Sequence, residues 1–194
     1  MDKLVVYLPF FPYLLALILV LLFLGRKPPI QIKKPKLGVP WAKVIYTDQK
    51  QKNTNRSTVQ HQLLTSTTYG VRGKPDYIFQ KHISKSLIPV ELKSGTISEK
   101  KLQPYPGDLM QLGVYFLLIE DIYNKRPKEG RLIYKNYMFI IKNTRKLRKN
   151  VLYTLEEMRD MLETGEHEVD PSFIKCRGCV CRETVCEFSE VKEG

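Results

Sequence analysis

The sequence predicts an α/β domain preceded by a single transmembrane helix. The segment from Leu4 to Leu24 has no charged residue and is almost wholly apolar, and about 20 such residues span a bilayer. The rest of the chain alternates short apolar runs, typical of strands, with segments whose apolar residues recur every three or four positions, as in amphipathic helices. A chain of 194 residues is long enough for one such domain with a sizeable core.

The apolar segment, within residues 1–25, is interpreted as a membrane anchor. A cleaved signal peptide is the main alternative, but its apolar region is shorter and ends at a small-residue cleavage site. Here Gly25 is followed directly by Arg26-Lys27-Pro28-Pro29. Residues 26–36 contain five basic residues and no acidic one, so the positive-inside rule places the C-terminal domain on the cytoplasmic side.

Residues 26–40 are interpreted as a basic linker. Its prolines predict an extended, semi-rigid spacer, and its lysines can lie on anionic lipid. The whole chain is basic, with a formal net charge of +12 and a pI of about 9.5. Such a charge favours polyanions, either nucleic acid or lipid headgroups, without choosing between them.

The domain is expected to cover residues 41–170. Its final helix begins with a basic segment, which suits either a solvated face or contacts with phosphates. Two pairs of neighbouring apolar runs are expected to form hairpins. Strands are predicted at Lys43–Tyr46, from Leu63, and at Tyr77–Phe79, Leu87–Leu92, Arg131–Tyr134 and Tyr137–Ile141, and helices at Asp108–Tyr123 and Thr144–Glu163.

Polar residues between Gly73 and Tyr115 indicate one site. Asp76 begins one predicted strand and Glu91 nearly ends the next, so a hairpin would bring them together. Glu91 and Lys93 project to one face because side chains alternate along a strand. Mg²⁺ and Mn²⁺ prefer oxygen ligands, and the Leu92 carbonyl lies close enough to join the two carboxylates. Taken alone, a Glu-x-Lys pair is equally typical of an exposed strand.

A helical motif follows these residues. Gln111 and Tyr115 are four positions apart on a predicted helix, so they share one stripe of its surface. In this order and spacing, Asp76, Glu91-x-Lys93 and Gln111-x₃-Tyr115 resemble the PD-(D/E)XK nucleases. More narrowly, they resemble the RecB-like, CRISPR-associated exonuclease family, over roughly residues 44–188.

The resemblance implies a restriction-endonuclease-like core, with a central mixed sheet flanked by helices. It also implies an exonuclease that needs Mg²⁺ or Mn²⁺ to hydrolyse DNA, with CRISPR or DNA-repair proteins as partners. In the family, the metal is held by the Asp, the Glu and the carbonyl of the residue after the Glu; the Lys is catalytic, and the Gln-x₃-Tyr helix contacts the site and DNA. These roles fall here on Asp76, Glu91, Leu92, Lys93, Gln111 and Tyr115.

The sequence departs from the family in its N-terminal part. The family's N-terminal helical region, with its own Cys and His, is missing, and the anchor and a polar loop stand in its place. His61 is the only upstream His, and its surroundings favour a surface residue over a metal ligand. An alternative function is therefore a catalytically weak DNA-binding module that is tethered to the membrane and contains a structural iron–sulfur or zinc site.

The C-terminal region, residues 171–194, contains all the cysteines: Cys176, Cys179, Cys181 and Cys186. Four clustered cysteines in a cytoplasmic domain favour a metal site over disulfides, either Zn²⁺ or an iron–sulfur cluster. The resemblance implies a [4Fe–4S] cluster on Cys176, Cys179 and Cys186, with Cys181 replacing the family's N-terminal cysteine. Structural zinc and free thiols are the alternatives.

Overall fold

A computed structural model describes residues 11–24, 28–48 and 63–165 of the chain. Its contacts divide the chain into two units, residues 1–151 and 152–194. In chain order the elements are α1 (Phe11–Leu24), β1 (Ile30–Lys33), β2 (Ala42–Thr47), β3 (Leu64–Ser66), β4 (Val71–Gly73), β5 (Tyr77–Lys81), β6 (Leu87–Leu92), α2 (Pro106–Tyr123), β7 (Glu129–Ile133), β8 (Met138–Lys142) and α3 (Arg145–Thr164).

The first unit is built on a six-stranded mixed sheet. Its strand order is β1-β8-β7-β6-β5-β2, and β3 and β4 form a separate hairpin. Only β6 and β7 are parallel to each other; the other neighbours in the large sheet run antiparallel. Helix α2 connects the two parallel strands, as such a pair requires a crossover. The α/β class predicted from the sequence, with a mixed sheet flanked by helices, is confirmed.

The hairpin of β5 and β6 is also confirmed. Tyr77 pairs with Val90 and Gln80 with Leu87, so the apolar run Tyr77–Phe79 lies opposite the apolar run of β6. The first five residues of β6 are buried. A strand that is buried in this way holds the side chains at its end in fixed positions, which matters for the site described below.

Helix α2 lies close to one face of the sheet because glycine stands at the contact. A Cβ atom on Gly130 of β7 would lie 2.9 Å from Cε1 of Phe116 and 3.0 Å from Cδ1 of Leu112. Gly113 provides a second close contact, since its Cβ would lie 2.4 Å from Cγ2 of Val151 in α3. Any larger residue at either position would displace α2. The helix begins with Pro106 in its first turn and ends at Asn124 in the left-handed conformation.

The opposite face of the sheet carries a second apolar cluster. It includes buried residues of four strands and Val39, which precedes β2; the members are Val39, Phe79, Ile88, Val90, Ile133 and Met138. Close to it, the buried Arg131 donates a hydrogen bond from Nη1 to the carbonyl of Gly38 at 3.0 Å. The segment around Gly38 and Val39 therefore covers part of this face.

The structure differs from the sequence expectation in the segment assigned to the linker. Ile30–Lys33 forms strand β1 and pairs antiparallel with β8, from Ile30 opposite Ile141 to Lys33 opposite Met138. The pairing partner lies more than 100 residues away in the chain, and four residues give little local signal. Four residues of the segment between α1 and β2 therefore belong to the sheet, so the segment is not a spacer over its whole length.

Helix α1 coincides with the second part of the predicted membrane anchor. It has 14 residues, all apolar or aromatic apart from the proline, and the side chains of residues 12–18 are exposed. Among the described residues, no helix has both the length and the apolar character that crossing a membrane requires. Residues 4–10 of the predicted anchor lie outside the described residues.

Helix α3 passes from the first unit into the second. Thr144 caps its first turn, where Oγ1 accepts a hydrogen bond from the N–H of Leu147 at 3.1 Å. Leu147 and Val151, at the start of the predicted apolar face, are buried. Further along the same face, Met158 and Leu162 in the second unit are 54% and 85% exposed. The apolar stripe is therefore buried only in its N-terminal part.

Candidate metal centre

The β5–β6 hairpin places two carboxylates side by side. Asp76 comes directly before β5, and Glu91 follows Val90, the partner of Tyr77. Oδ2 of Asp76 accepts a hydrogen bond from the N–H of Leu92 at 2.7 Å. This bond ties the residue before one strand to the last residue of the other. Asp76 and Glu91 therefore lie next to each other, as predicted from the sequence.

Helix α2 completes the site with an amide and a phenol. Nε2 of Gln111 donates to Oε1 of Glu91 and also lies 2.8 Å from the hydroxyl of Tyr115. The Tyr115 hydroxyl donates to the carbonyl of Lys74 at 3.1 Å. Gly73 allows this approach, since a Cβ there would lie 3.0 Å from Cε1 of Tyr115. One chain of hydrogen bonds thus joins α2 to the β5–β6 hairpin and to Lys74, which directly follows β4.

Lys93 lies at the centre of these polar groups. Its Nζ is 3.2 Å from Oε1 of Glu91, 3.1 Å from Oδ1 of Asp108 and 2.5 Å from Oε1 of Gln111. Burial by itself would lower the pKa of Lys93, but hydrogen bonds and charge from Asp108 and Glu91 outweigh it and raise the pKa above its ordinary value. The side chain is therefore a fixed ammonium at neutral pH.

Glu91 is the most constrained carboxylate of the site. Its side chain is buried, and Oε2 has no hydrogen-bond partner among the described residues. Burial first, and then the charge of Asp76, raise the pKa of Glu91, while Lys93 acts in the opposite direction. A buried carboxylate oxygen without a donor is costly. A cation between Asp76 and Glu91 would relieve both the repulsion and the missing contact.

The donor set suits a hard divalent cation with a partly hydrated shell. The described residues contain no group of three or more His, Cys, Asp or Glu side chains arranged around a common point. A cation here would thus have two carboxylates, from Asp76 and Glu91, and would need carbonyl and water oxygens for the rest. Mg²⁺ and Mn²⁺ accept such a shell, whereas structural Zn²⁺ sites use four protein ligands.

Asp108 is a member of the site that sequence reasoning did not assign to it. Besides its ion pair with Lys93, its Oδ2 accepts a hydrogen bond from the hydroxyl of Tyr134 at 2.6 Å. That hydroxyl in turn accepts from the N–H of Tyr105 at 3.3 Å. The sequence indicates that Asp108 suits the first turn of the helix electrostatically and leaves open whether it also faces the metal. The available signal was its position three residues before Gln111, on a shared helix face.

One residue of the basic segment at the start of α3 has a structural role. Nη1 of Arg148 pairs with the carboxylate of Glu120. Its Nη2 donates to the hydroxyl of Tyr69 at 2.8 Å, and its guanidinium lies over the ring of the same residue. Arg148 therefore connects α3 to α2 and to the turn between β3 and β4.

His61, which the sequence favours as a surface residue, lies outside the described residues. The same holds for the predicted cluster ligands, the cysteines at positions 176, 179, 181 and 186. These assignments stay predictions from the sequence.

Comparisons of the sequence with models of known protein families and with curated proteins give no match. The interpretation of the site therefore depends on its residues and their geometry.

Proposed function

We propose that the chain is a Mg²⁺- or Mn²⁺-dependent deoxyribonuclease of the PD-(D/E)XK type, acting as an exonuclease. The observation that carries this proposal is the convergence of Asp76, Lys93 and Gln111 on Glu91: Lys93 and Gln111 contact its Oε1, while its buried Oε2 has no hydrogen-bond partner among the described residues. In a purely structural ion-pair network, an unpaired buried oxygen costs free energy and gains nothing. In a metal site, the same oxygen is left to coordinate the cation.

In the proposed site, Asp76, Glu91 and the carbonyl of Leu92 would hold the ion. When bound, such an ion supplies Lewis-acid polarisation of a phosphodiester oxygen and a more acidic water. Lys93 stays protonated because its pKa is raised, so it stabilises negative charge on the phosphate rather than accepting a proton. Gln111 keeps Glu91 and Lys93 in place, because its amide contacts both.

Tyr115 would support the site as a neutral hydrogen-bond donor. Burial, with the charges of Glu91 and Asp76 acting in the same direction, raises the pKa of Tyr115 to about 12 although its bond to Gln111 opposes this. The phenol is therefore protonated throughout the neutral range. Its hydroxyl accepts from Nε2 of Gln111 and donates to the carbonyl of Lys74, and in this way it fixes the orientation of the Gln111 amide.

The proposal is tested by cleavage of labelled DNA with the purified full-length chain in detergent. We expect linear DNA to be degraded from its ends with Mn²⁺ or Mg²⁺ and to remain intact with chelator, while covalently closed circles survive. Because the chain carries a net charge of +12, binding should weaken steeply with salt. DNA binding without cleavage, with Mn²⁺ and with Mg²⁺, would contradict the proposed nuclease activity and favour the tethered DNA-binding module.

We also propose that the domain is held at a membrane, with its C-terminus on the cytoplasmic side. The support comes from the exposed apolar side chains of α1 and from the basic residues that follow it. A fusion reporter placed after Gly194 should report a cytoplasmic location, and deletion of residues 1–25 should release the protein from the membrane fraction. A mature N-terminus close to residue 25 would instead identify a signal peptide.

A further inference from the structure

A pocket lies beside β1, the strand that follows α1 in the chain. It has a volume of about 280 Å³, and residues of β1, β8, α2 and α3 line it. Most of the lining is aliphatic and comes from Pro29, Ile30, Leu109, Ile141 and Leu147. All of these residues belong to the first unit of the chain. This is the β1–α3 pocket.

The walls of the β1–α3 pocket are fixed by the fold. The N–H of Lys142 donates to the carbonyl of Pro29 at 2.9 Å, and Ile30 lies opposite Ile141 in the pairing of β1 with β8. On the helical side, Leu147 is buried in the first turn of α3. These contacts hold the pocket in one shape, which lowers the entropic cost of binding a ligand.

The lining combines aliphatic surface with positive charge. Lys142 and Lys146 line the pocket together with its apolar residues, and Lys146 is exposed, so its ammonium group lies in water. No acidic and no aromatic side chain of the described residues lines the pocket. A ligand that complements both parts of this lining has a hydrocarbon chain and an anionic group.

This composition favours a phospholipid over nucleic acid. Unpaired bases bind by stacking on aromatic rings, which the lining lacks among the described residues, and backbone phosphates would leave the aliphatic part of the pocket in contact with water. An anionic phospholipid uses both parts. Its acyl chain excludes water from the aliphatic side chains, and its phosphate is attracted by the two lysines.

The chain itself holds the pocket close to α1. Pro29 lines the pocket, and only residues 25–28 separate it from Leu24, the last residue of α1. With α1 embedded in a bilayer, the pocket would therefore lie near the headgroups. The cytoplasmic leaflet is rich in anionic lipids, which attract lysines close to its surface.

We propose that the β1–α3 pocket binds one anionic phospholipid of the bilayer that holds α1, with an acyl chain against the aliphatic residues and the phosphate at Lys142 and Lys146. The proposal rests on the membrane location proposed above and does not depend on the nuclease activity. It also gives the domain an orientation, because a lipid bound there turns the β1 edge of the sheet towards the membrane.

The test counts the lipids that bind to the full-length chain in detergent, by native mass spectrometry. The probes are phosphatidylglycerol and phosphatidylcholine with the same acyl chains. We expect one phosphatidylglycerol to bind about 10-fold or more tightly than phosphatidylcholine, because each lysine near an anionic headgroup strengthens binding by about fivefold. Equal binding of the two lipids would overturn the proposal.

A charge reversal separates the pocket from the general basic charge of the chain. Lys146→Glu should weaken phosphatidylglycerol binding by about 5- to 30-fold and leave phosphatidylcholine binding unchanged. The variant should fold, because a glutamate is favourable in the first turn of a helix. The matched control is Lys36→Glu, the same change at an exposed lysine between β1 and β2 that does not line the pocket. Equal losses in the two variants would overturn the pocket in favour of attraction by overall charge.

Tryptophan fluorescence locates the acyl chain. The unaltered chain has one tryptophan, Trp41, which is 82% exposed and directly precedes β2 at the opposite edge of the sheet from β1. Asn150 is an exposed residue of α3 that lines the pocket. Phosphatidylglycerol with brominated acyl chains should quench the double variant Trp41→Phe, Asn150→Trp, and should not quench the unaltered chain. Equal quenching of both proteins would contradict a specific pocket.

The outcomes separate the pocket from the proposed membrane location and from DNA binding. Selective lipid binding that requires Lys146 would support the pocket even if the fusion reporter contradicts the cytoplasmic location. The absence of selectivity would overturn the pocket even if the chain stays in the membrane fraction. If Lys146→Glu weakens binding of a DNA duplex in chelator and leaves lipid binding unchanged, the lysine serves nucleic acid and the lipid pocket is wrong.

Discussion

Replacing Glu91 by Gln should abolish metal-dependent cleavage while leaving the protein folded. The amide keeps the volume and the oxygen that accepts from Lys93 and Gln111, but it has no charge for a cation. Several kcal/mol of transition-state stabilisation would be lost, which corresponds to a rate lower by roughly a thousandfold or more. The measurement is degradation of end-labelled DNA in Mn²⁺ and in Mg²⁺. The control is Glu156→Gln, which removes an exposed carboxylate of α3.

The same variant should change how stability depends on pH in chelator. Because the pKa of Glu91 is raised in the folded state, that state binds more protons than the unfolded one between the unfolded and the folded pKa. Stability of the metal-free protein should therefore fall as pH rises through this interval. In the Glu91→Gln variant this part of the pH-dependent decrease in stability should be absent. Denaturant titrations at several pH values measure it. Full nuclease activity of the variant would rule out Glu91 as a ligand.

Replacing Lys93 by Met should remove cleavage but keep metal binding. The aliphatic part of the side chain is retained, and only the ammonium between Glu91 and Asp108 disappears. Loss of one positioned group that stabilises charge costs about a hundred- to a thousandfold in rate. Mn²⁺ binding, followed by titration calorimetry, should persist because Lys93 supplies no ligand oxygen.

Two further observations would define the role of Lys93. Since its pKa is raised in the folded state, the stability that it contributes is present at neutral pH and is lost only as pH rises through that raised pKa. The cleavage rate should accordingly show no step near neutral pH that depends on this residue. Lys125→Met, at an exposed position after α2, should behave like the unaltered chain. Normal cleavage by Lys93→Met would contradict the proposed mechanism.

The elements that carry the site could be predicted because their signals are local. Two short apolar runs separated by a polar turn predict the β5–β6 hairpin, and the alternation of side chains along a strand puts Glu91 and Lys93 on one face. The spacing of Gln111 and Tyr115 gives one helix stripe, and the structure has both side chains in the same hydrogen-bond network. Short-range patterns were enough for these residues.

The parts that sequence reasoning missed depend on long-range contacts. Strand β1 forms only because β8 offers it an edge, and its four residues carry too weak a pattern to be distinguished from a linker. The attachment of the loop before α2 to Asn136 joins residues 39 positions apart, so no local pattern in the sequence indicates it. The sequence left the place of Asp108 in the site open because its partners, Lys93 and Tyr134, lie on other elements.

The position of β1 has a mechanical consequence. Leu24 ends α1 and Ile30 begins the edge strand of the sheet, so six residue steps separate them and span at most about 20 Å when fully extended. With α1 embedded in a bilayer, the segment between lipid and sheet would be about as long as a DNA duplex is wide. The domain could not sample the cell interior. The domain would stay next to the membrane surface, and DNA ends would have to reach it there.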